Sequence, residues 1–293
     1  MPMRPAARCT PDASNRFADA MSRLPPFDQA HGLRRLLAHA QTHFVPVVSN
    51  PHADFGGLML ERLCAGFAER GIRTLVVDAS EQAAPAADEA LFELAACIEP
   101  LSERISYLAA RGLSTRYVDA TGSTAPFLRA VVEAAPTSQV VLIHAPALEL
   151  CRLFARRRDA ANAEPVCPLL LAEDRPSSVT HAYAAMKLLA TRANLRAYEL
   201  VLGASARSPR APRIAMQIAL CADDFLGSVL RDWLLIDPAA GPSQAVTPGL
   251  RRWVAHRLQL RPHDGLVAEP DTIDIPGPHS SGTRFSASNH AFH

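Results

Sequence analysis

The sequence predicts an α/β protein built on a doubly wound, mostly parallel sheet of about seven strands. Three observations predict it. Short runs of apolar, often β-branched residues recur through the middle of the chain, and they are nearly continuous rather than alternating, as strands covered on both faces are. Segments of helical period separate these runs, which is the pattern of βα units. The chain has 293 residues, 48% of them hydrophobic, and a net charge of only +1. That is enough material for one large domain with a real core, and too little charge to hold nucleic acid electrostatically.

The elements follow in order. Residues 1–26 are rich in Pro, Ala, Ser and Arg without a sustained period, and a disordered tail is expected there. A helix is predicted over 27–43, with Asp28 as N-cap and Leu33, Leu36 and Leu37 stacked on one face. Phe44–Ser49 is the first buried strand, and Leu58–Arg70 is a helix closed by Gly71. Arg73–Asp78 is the second strand. Further strands are expected at Thr115–Val118, Val140–His144, Val166–Ala172, Tyr198–Gly203 and Leu234–Asp237. Helices are expected at Thr124–Ala134, Ser177–Thr191 and Ile214–Arg231. Thr247–Leu260 has an apolar face of Leu250, Trp253, Val254 and Leu258 with Arg251, Arg252 and Arg257 opposite. It suits either a helix packed on the sheet or one lying on a membrane surface. The domain is therefore placed at 44–260, and residues 261–293, polar, Pro-rich and aperiodic, are expected to be disordered.

Several chemistries are excluded early. The six cysteines lie far apart with no CxxC pair, so zinc ribbons and thioredoxin-type sites are out, and a reducing cytoplasm is the expected compartment. The N-terminus has no apolar core of a secretory signal, and no run approaches the roughly 18 to 20 residues of a membrane span. Among 30 basic residues only Lys187 is a lysine. Arginine cannot replace a compact phosphate-loop ammonium.

In a doubly wound fold, ligands bind beyond the carboxyl ends of the strands. The first strand-to-helix loop is Ser49-Asn50-Pro51-His52-Ala53-Asp54-Phe55-Gly56-Gly57. A phosphate loop needs convergent backbone N–H groups, a lysine, and a Ser or Thr for Mg²⁺. This loop lacks the lysine and the hydroxyl after its glycines, carries the anionic Asp54, and loses one donor at Pro51.

The chain here resembles the MinD/ParA class of deviant Walker ATPases, a P-loop NTPase fold, and within it the flagellar-number regulators of FlhG (FleN) type. Residues VVSNPHADFGG, the helix ending Glu69-Arg70-Gly71, and Val76-Val77-Asp78-Ala79-Ser80 match the family's VTSGKGGVGKT, helix and LDAD segments without a gap. In that match Pro51 stands at the signature lysine, Gly56 at the second lysine, and Gly57 at the Mg²⁺-binding threonine. Asp78 is retained, Ser80 occupies the second acidic position, and His144 replaces the Walker B aspartate. Asn50 completes the degenerate nucleotide site. Glu173–Tyr183 is similar to the family's EPTSLTDAY segment, and 28-DQAHGLR-34 matches the DQAxxLR helix that precedes the first strand in FlhG-type proteins.

The resemblance implies a pseudo-ATPase without cofactor that regulates flagellar number or placement. The implied partner is a signal-recognition-particle-type (SRP) GTPase of FlhF type, contacted through Asp28, Gln29, Ala30, Leu33, Arg34 and Leu37. Flagellar basal-body components, and a weak membrane-surface contact at the cell pole, are further implied partners. The alternatives are a divergent MinD/ParA-type ATPase that still binds ATP–Mg²⁺, and a polar-localisation scaffold in another secretion pathway. His144 itself reads as a packed or hydrogen-bonded histidine, with a catalytic substitute for the lost aspartate as the sharper alternative. A metal site from His39, His43 and His52 is conceivable on spacing, though it lacks carboxylate or cysteine support.

Overall fold

The computed structural model describes residues 42–87, 93–120, 123–154, 166–241 and 244–259. The expected partner helix with Asp28, Gln29, Ala30, Leu33, Arg34 and Leu37, and both expected tails, lie outside the described residues.

Eight strands form one sheet. In chain order they are β1 (His43–Val48), β2 (Thr74–Asp78), β3 (Glu99–Pro100), β4 (Ile105–Ala109), β5 (Val140–Ala145), β6 (Leu169–Glu173), β7 (Ala197–Gly203) and β8 (Val229–Ile236). The helices are α1 (Gly56–Glu69), α2 (Ala125–Ala134), α3 (Ala147–Phe154), α4 (Pro176–Ala193), α5 (Ala211–Leu226) and α6 (Pro248–Gln259). Strand order is β3-β4-β2-β5-β1-β6-β7-β8. Every pairing is parallel except β3 with β4. The α/β, mostly parallel architecture is the expected one.

The apolar strands have two covered faces, which is why they lack alternation. Val48, Val77, Ile143, Leu170 and Leu202 point to the layer of α2, α3, α4 and α5. Val47, Val76, Leu142, Leu171 and Val201 point to α1 and α6. Helix α6 is the packed alternative: Leu250, Trp253 and Val254 are buried. Arg257, assigned from sequence to the polar side, is buried too, because it pairs with Glu199 Oε2 at 3.1 Å and donates to the Cys167 carbonyl at 2.6 Å.

Three expectations are corrected. Thr115–Val118 is no strand; Ser114–Tyr117 forms a single 3₁₀ turn. Its hydroxyls bond outside any strand ladder, Thr115 Oγ1 donating to the Gly112 carbonyl of the same turn at 2.8 Å and Ser114 Oγ to Glu149 Oε1 on α3 at 2.6 Å. The strand in this region is β4, where Ile105 and Tyr107 face the α1 layer and Leu108 the other. The helix expected to reach Arg231 stops at Leu226, because Gly227 adopts φ 53° and its N–H caps the Ala222 and Asp223 carbonyls. Residues 229–233, expected as helix end and connection, accordingly begin β8.

Candidate functional site

Strand β1 is the switch point of the sheet. The chain leaving it turns through α1 towards β2 on one side, while β6 leads through α4 to β7 on the other. A crevice opens there at the carboxyl edge. It is a cavity of about 360 Å³ lined by the first loop, by His144 at the end of β5 with Pro146, Ala147 and Leu148 after it, and by one side of α4. Of the sequence-predicted site residues, Asn50, Pro51, Gly56, Gly57 and His144 line it, and Asp78 stands directly behind His144.

The first loop is closed on itself. Asn50, 6% exposed, turns its amide inward: Nδ2 donates to the Leu171 carbonyl at 2.8 Å and to the Ser178 carbonyl at 2.9 Å. Its Oδ1 accepts from the His52 N–H at 3.0 Å. The Ala53 N–H is taken by the Asn50 carbonyl and the Gly56 N–H by the Ala53 carbonyl. The Phe55 N–H donates to Glu173 Oε1 at 2.6 Å. Thus the amides of His52, Ala53, Phe55 and Gly56 are all engaged by the protein, and Pro51 has none to offer.

Glu173 is the centre of this closure. It ends β6 and is 4% exposed. Its Oε2 accepts from Arg175 Nη2 at 2.7 Å, while the same guanidinium reaches Asp54 Oδ2 at 2.8 Å and the His52 carbonyl at 2.9 Å. Asp54, and secondarily Glu173, hold the Arg175 guanidinium above its ordinary pKa. Charge-assisted bonds of this kind are the strong ones. Gly203, at the end of β7, lets Glu173 lie there: a Cβ would stand 3.2 Å from Glu173 Cγ.

Asp78 and His144 form a second unit. They are register partners on adjacent strands β2 and β5, and His144 Nδ1 lies 2.9 Å from Asp78 Oδ1. The Ser80 N–H donates to the same oxygen at 3.0 Å, and Tyr107 Oη lies 3.4 Å from Oδ2. Burial pushes the Asp78 carboxyl up, but the His144 bond and charge and the Ser80 bonds outweigh it and hold the group below its ordinary value. Burial, followed by the nearby Asp78 charge, pushes the Tyr107 phenol up to about 12.

The sequence reading missed Glu173, Arg175, Ser178 and His181 as site residues. In the sequence their segment is marked only by its similarity to a motif, and nothing local shows that Glu173 will meet an amide 118 residues away. His181 lies edge-to-face on His52 at 5.6 Å; burial first, then His52, lowers its pKa. His43 and His52 sit at opposite ends of β1, so the conceivable three-histidine set is not brought together; His39 lies outside the described residues. Among the described residues no group of three His, Cys, Asp or Glu side chains is placed to hold a metal ion.

No protein-family model and no curated protein sequence matches this chain. Among solved structures, the MinD cell division protein of Aquifex aeolicus is similar with a TM-score of 0.45 and 13% identity, over 73% of this chain and 97% of that one. The MinC:MinD cell division protein complex of Aquifex aeolicus gives a TM-score of 0.42 and 11% identity, over 72% and 86%. The structure of pNOB8 ParA bound to nonspecific DNA gives 0.38 and 11%, over 64% and 75%. The fold stands on the strand order and registers above, and these overlaps add no chemistry to it.

Proposed function

We propose that this chain is a MinD-like, FlhG-like regulator that acts by binding a partner and not by turning over nucleotide, and that it controls flagellar number or placement. What supports the non-catalytic part is the closure of the first loop. Its His52, Ala53 and Gly56 amides are engaged within the loop, a buried carboxylate holds the Phe55 N–H, and no lysine is present there. These residues do not fit a triphosphate, and no step is routed through one. What supports the partner is the segment 28-DQAHGLR-34, whose resemblance points to an SRP GTPase of FlhF type. A leucine stripe with anchors at i, i+3 and i+4 suits docking, and Gln29 beside it is the residue type that orients an attacking water in another protein's site. The proposed place of action is the cytoplasmic side of the cell pole, near basal-body components. Membrane contact is the weaker part, since the apolar face of α6 is occupied.

A second reading, a divergent ATPase, is favoured by one observation: Asp78 is retained directly behind His144, which lines the open cavity. One set of measurements separates the two. Isothermal titration with ATP–Mg²⁺ and ADP–Mg²⁺ is expected to give no saturable binding below about 1 mM, where a working site would reach micromolar values. A purified FlhF-type GTPase is expected to bind the full chain and to hydrolyse GTP faster. Leu33→Asp should abolish both effects, and Gln29→Ala only the acceleration. A low-micromolar nucleotide dissociation constant sinks the non-catalytic reading, and no capture of the GTPase sinks the flagellar one.

A further inference from the structure

The exposed apolar surface of the described residues is gathered at one edge of the sheet. Five of their nine exposed large apolar side chains, Met216, Leu220, Phe225, Val229 and Trp233, lie on α5 and the edge strand β8, so this is where a macromolecular partner is to be sought. Strand addition is not what the edge is built for. The β7–β8 pairing shifts register at Tyr198/Glu199 and leaves Arg231 as an extra residue. The Asp232 carboxylate accepts the Trp233 N–H at 2.8 Å. A bulge and a charged strand edge both discourage pairing with another strand. The outer side of α5 remains.

Helix α5 buries Ala211, Ala215, Ile218 and Ala222 on the sheet. Its outer side presents Arg213, Met216, Leu220 and Asp223, all exposed, with Met216 at 60% and Leu220 at 57%. Their spacing of three, four and three residues is that of the a and d positions of paired helices. The order along the stripe is cation, apolar, apolar, anion. A second copy laid antiparallel is therefore its complement: Arg213 meets Asp223 of the second copy, Met216 meets Leu220, and the two-fold repeats both contacts. A parallel copy would set Arg213 against Arg213 and Asp223 against Asp223. Arg210, Gln217 and Asp224 repeat the same sign order along one flank of the stripe, although Arg210 also lies 3.6 Å from Asp174. Asp223 and Asp224 at the end of the stripe disfavour an anionic lipid surface.

We propose that the outer face of α5 is a self-association surface, on which a second copy of this chain docks α5 against α5 in antiparallel sense. Met216 and Leu220 form the seam, and Arg213 and Asp223 pair across both of its ends. The contact is small, so the association is weak and reversible. It rests on neither the nucleotide reading nor the flagellar partner of the preceding section.

Sedimentation equilibrium of the full chain at low salt without nucleotide tests it. Between about 10 µM and 500 µM the mass is expected to rise reversibly towards twice that of one chain, with a dissociation constant below about 500 µM. Leu220→Asp should remove the rise. Arg213→Asp and Asp223→Arg should each weaken it at least about tenfold, because each sets like charges against one another at both ends of the seam. An equimolar mixture of these two variants should recover most of the lost affinity, since both ends then join opposite charges again. All three positions are exposed, and circular dichroism checks that each variant folds. A wild-type chain that stays monomeric, a rise that survives Leu220→Asp, or a mixture no stronger than its components would overturn the proposal. So would Leu220-dependent binding of a monomeric chain to phosphatidylglycerol vesicles or to the FlhF-type GTPase, since the face would then belong to that occupant. A chain that is monomeric, binds no ATP and captures the GTPase loses this inference alone. Doubling of mass only with ATP–Mg²⁺ removes this inference and the non-catalytic reading together.

Discussion

At Gly56 and Gly57 a Cβ would meet no heavy atom within 4 Å. Neither glycine is needed for packing, and neither has positive φ. Lysine and threonine can therefore be put back at the positions where the family resemblance places them. They would enter the first turn of α1, where replacing glycine favours the helix by up to roughly 1 kcal/mol each. Yet the loop around them stays closed, because Glu173 and Asn50 hold its amides and Pro51 is unchanged. The Gly56→Lys/Gly57→Thr protein is expected to be at least as stable as wild type and still to show no saturable ATP–Mg²⁺ binding below about 1 mM in calorimetry. Restored low-micromolar binding would mean that two side chains were the whole deficit and that the Glu173 closure is irrelevant. Legibility at this scale was uneven. Pro51, Gly56, Gly57, Asp78 and His144 were all picked out in the sequence. The contacts that define the site were not, since Glu173 to Phe55 and His144 to Asp78 join residues far apart in the chain. The second could have been found by pairing the carboxyl ends of two adjacent parallel strands.

Among the elements, α6 shows what a polar-looking helix can hide. Trp253 Nε1 donates to Glu199 Oε2 at 2.8 Å, Arg257 pairs with the same oxygen, and the guanidinium lies 5.5 Å over the Trp253 ring. Glu199 and Arg257 are 2% and 5% exposed. Removing one partner of a buried pair strands the other charge, at about 3–5 kcal/mol. Glu199→Ala is expected to cost that much in urea unfolding, and Glu199→Gln less, since an acceptor for Trp253 remains. A cost under about 1 kcal/mol for Glu199→Ala would show that water reaches the pair. Close approach is the other half of the docking. A Cβ on Gly66 of α1 would stand 3.1 Å from Val254 Cγ2 and 3.2 Å from Leu250 Cγ. Sequence period located α6 and its apolar face, but arginine is so often exposed that its burial left no local signal. The same logic explains the missed edge strands. β1, β2 and β5 are buried on both faces and so are continuously apolar, whereas β3 and β4 lie at the sheet edge, where Glu99 and Pro100 are exposed and Ser106 interrupts the run.

For the whole molecule, groups scattered from one end of the sheet to the other set a common pH window. Burial, helped by Arg257, lowers the pKa of His43 at the start of β1, and burial, helped by His52, lowers that of His181 on α4. Both stay neutral in the folded state while the unfolded chain protonates near its ordinary value of 6.5. Their contribution is therefore fully present above about pH 6.5 and is lost as pH falls through the folded values. Glu149 opposes them at pH values above its ordinary 4.5, because burial raises its pKa despite the Ser114 bond and Arg152, and acid relieves that penalty. Asp78, held low, adds a further loss only below its ordinary 3.8. On the alkaline side, burial pushes the Cys64 and Cys167 thiols up to about 12 from an ordinary 9.0. The unfolded chain then releases protons that the folded one keeps, so stability falls again as pH rises above 9.0. Urea midpoints are expected to be highest between about pH 7 and 9. They should decline towards pH 5.5 with a slope of up to roughly 1.4 kcal/mol per pH unit for each histidine that stays neutral. His181→Gln, which cannot protonate, should flatten that acid slope without moving the alkaline limb, whereas Cys64→Ala should do the reverse. A protein equally stable at pH 5.5 and pH 8 would contradict the assignment, because it would require both histidines to titrate in the fold as they do in water.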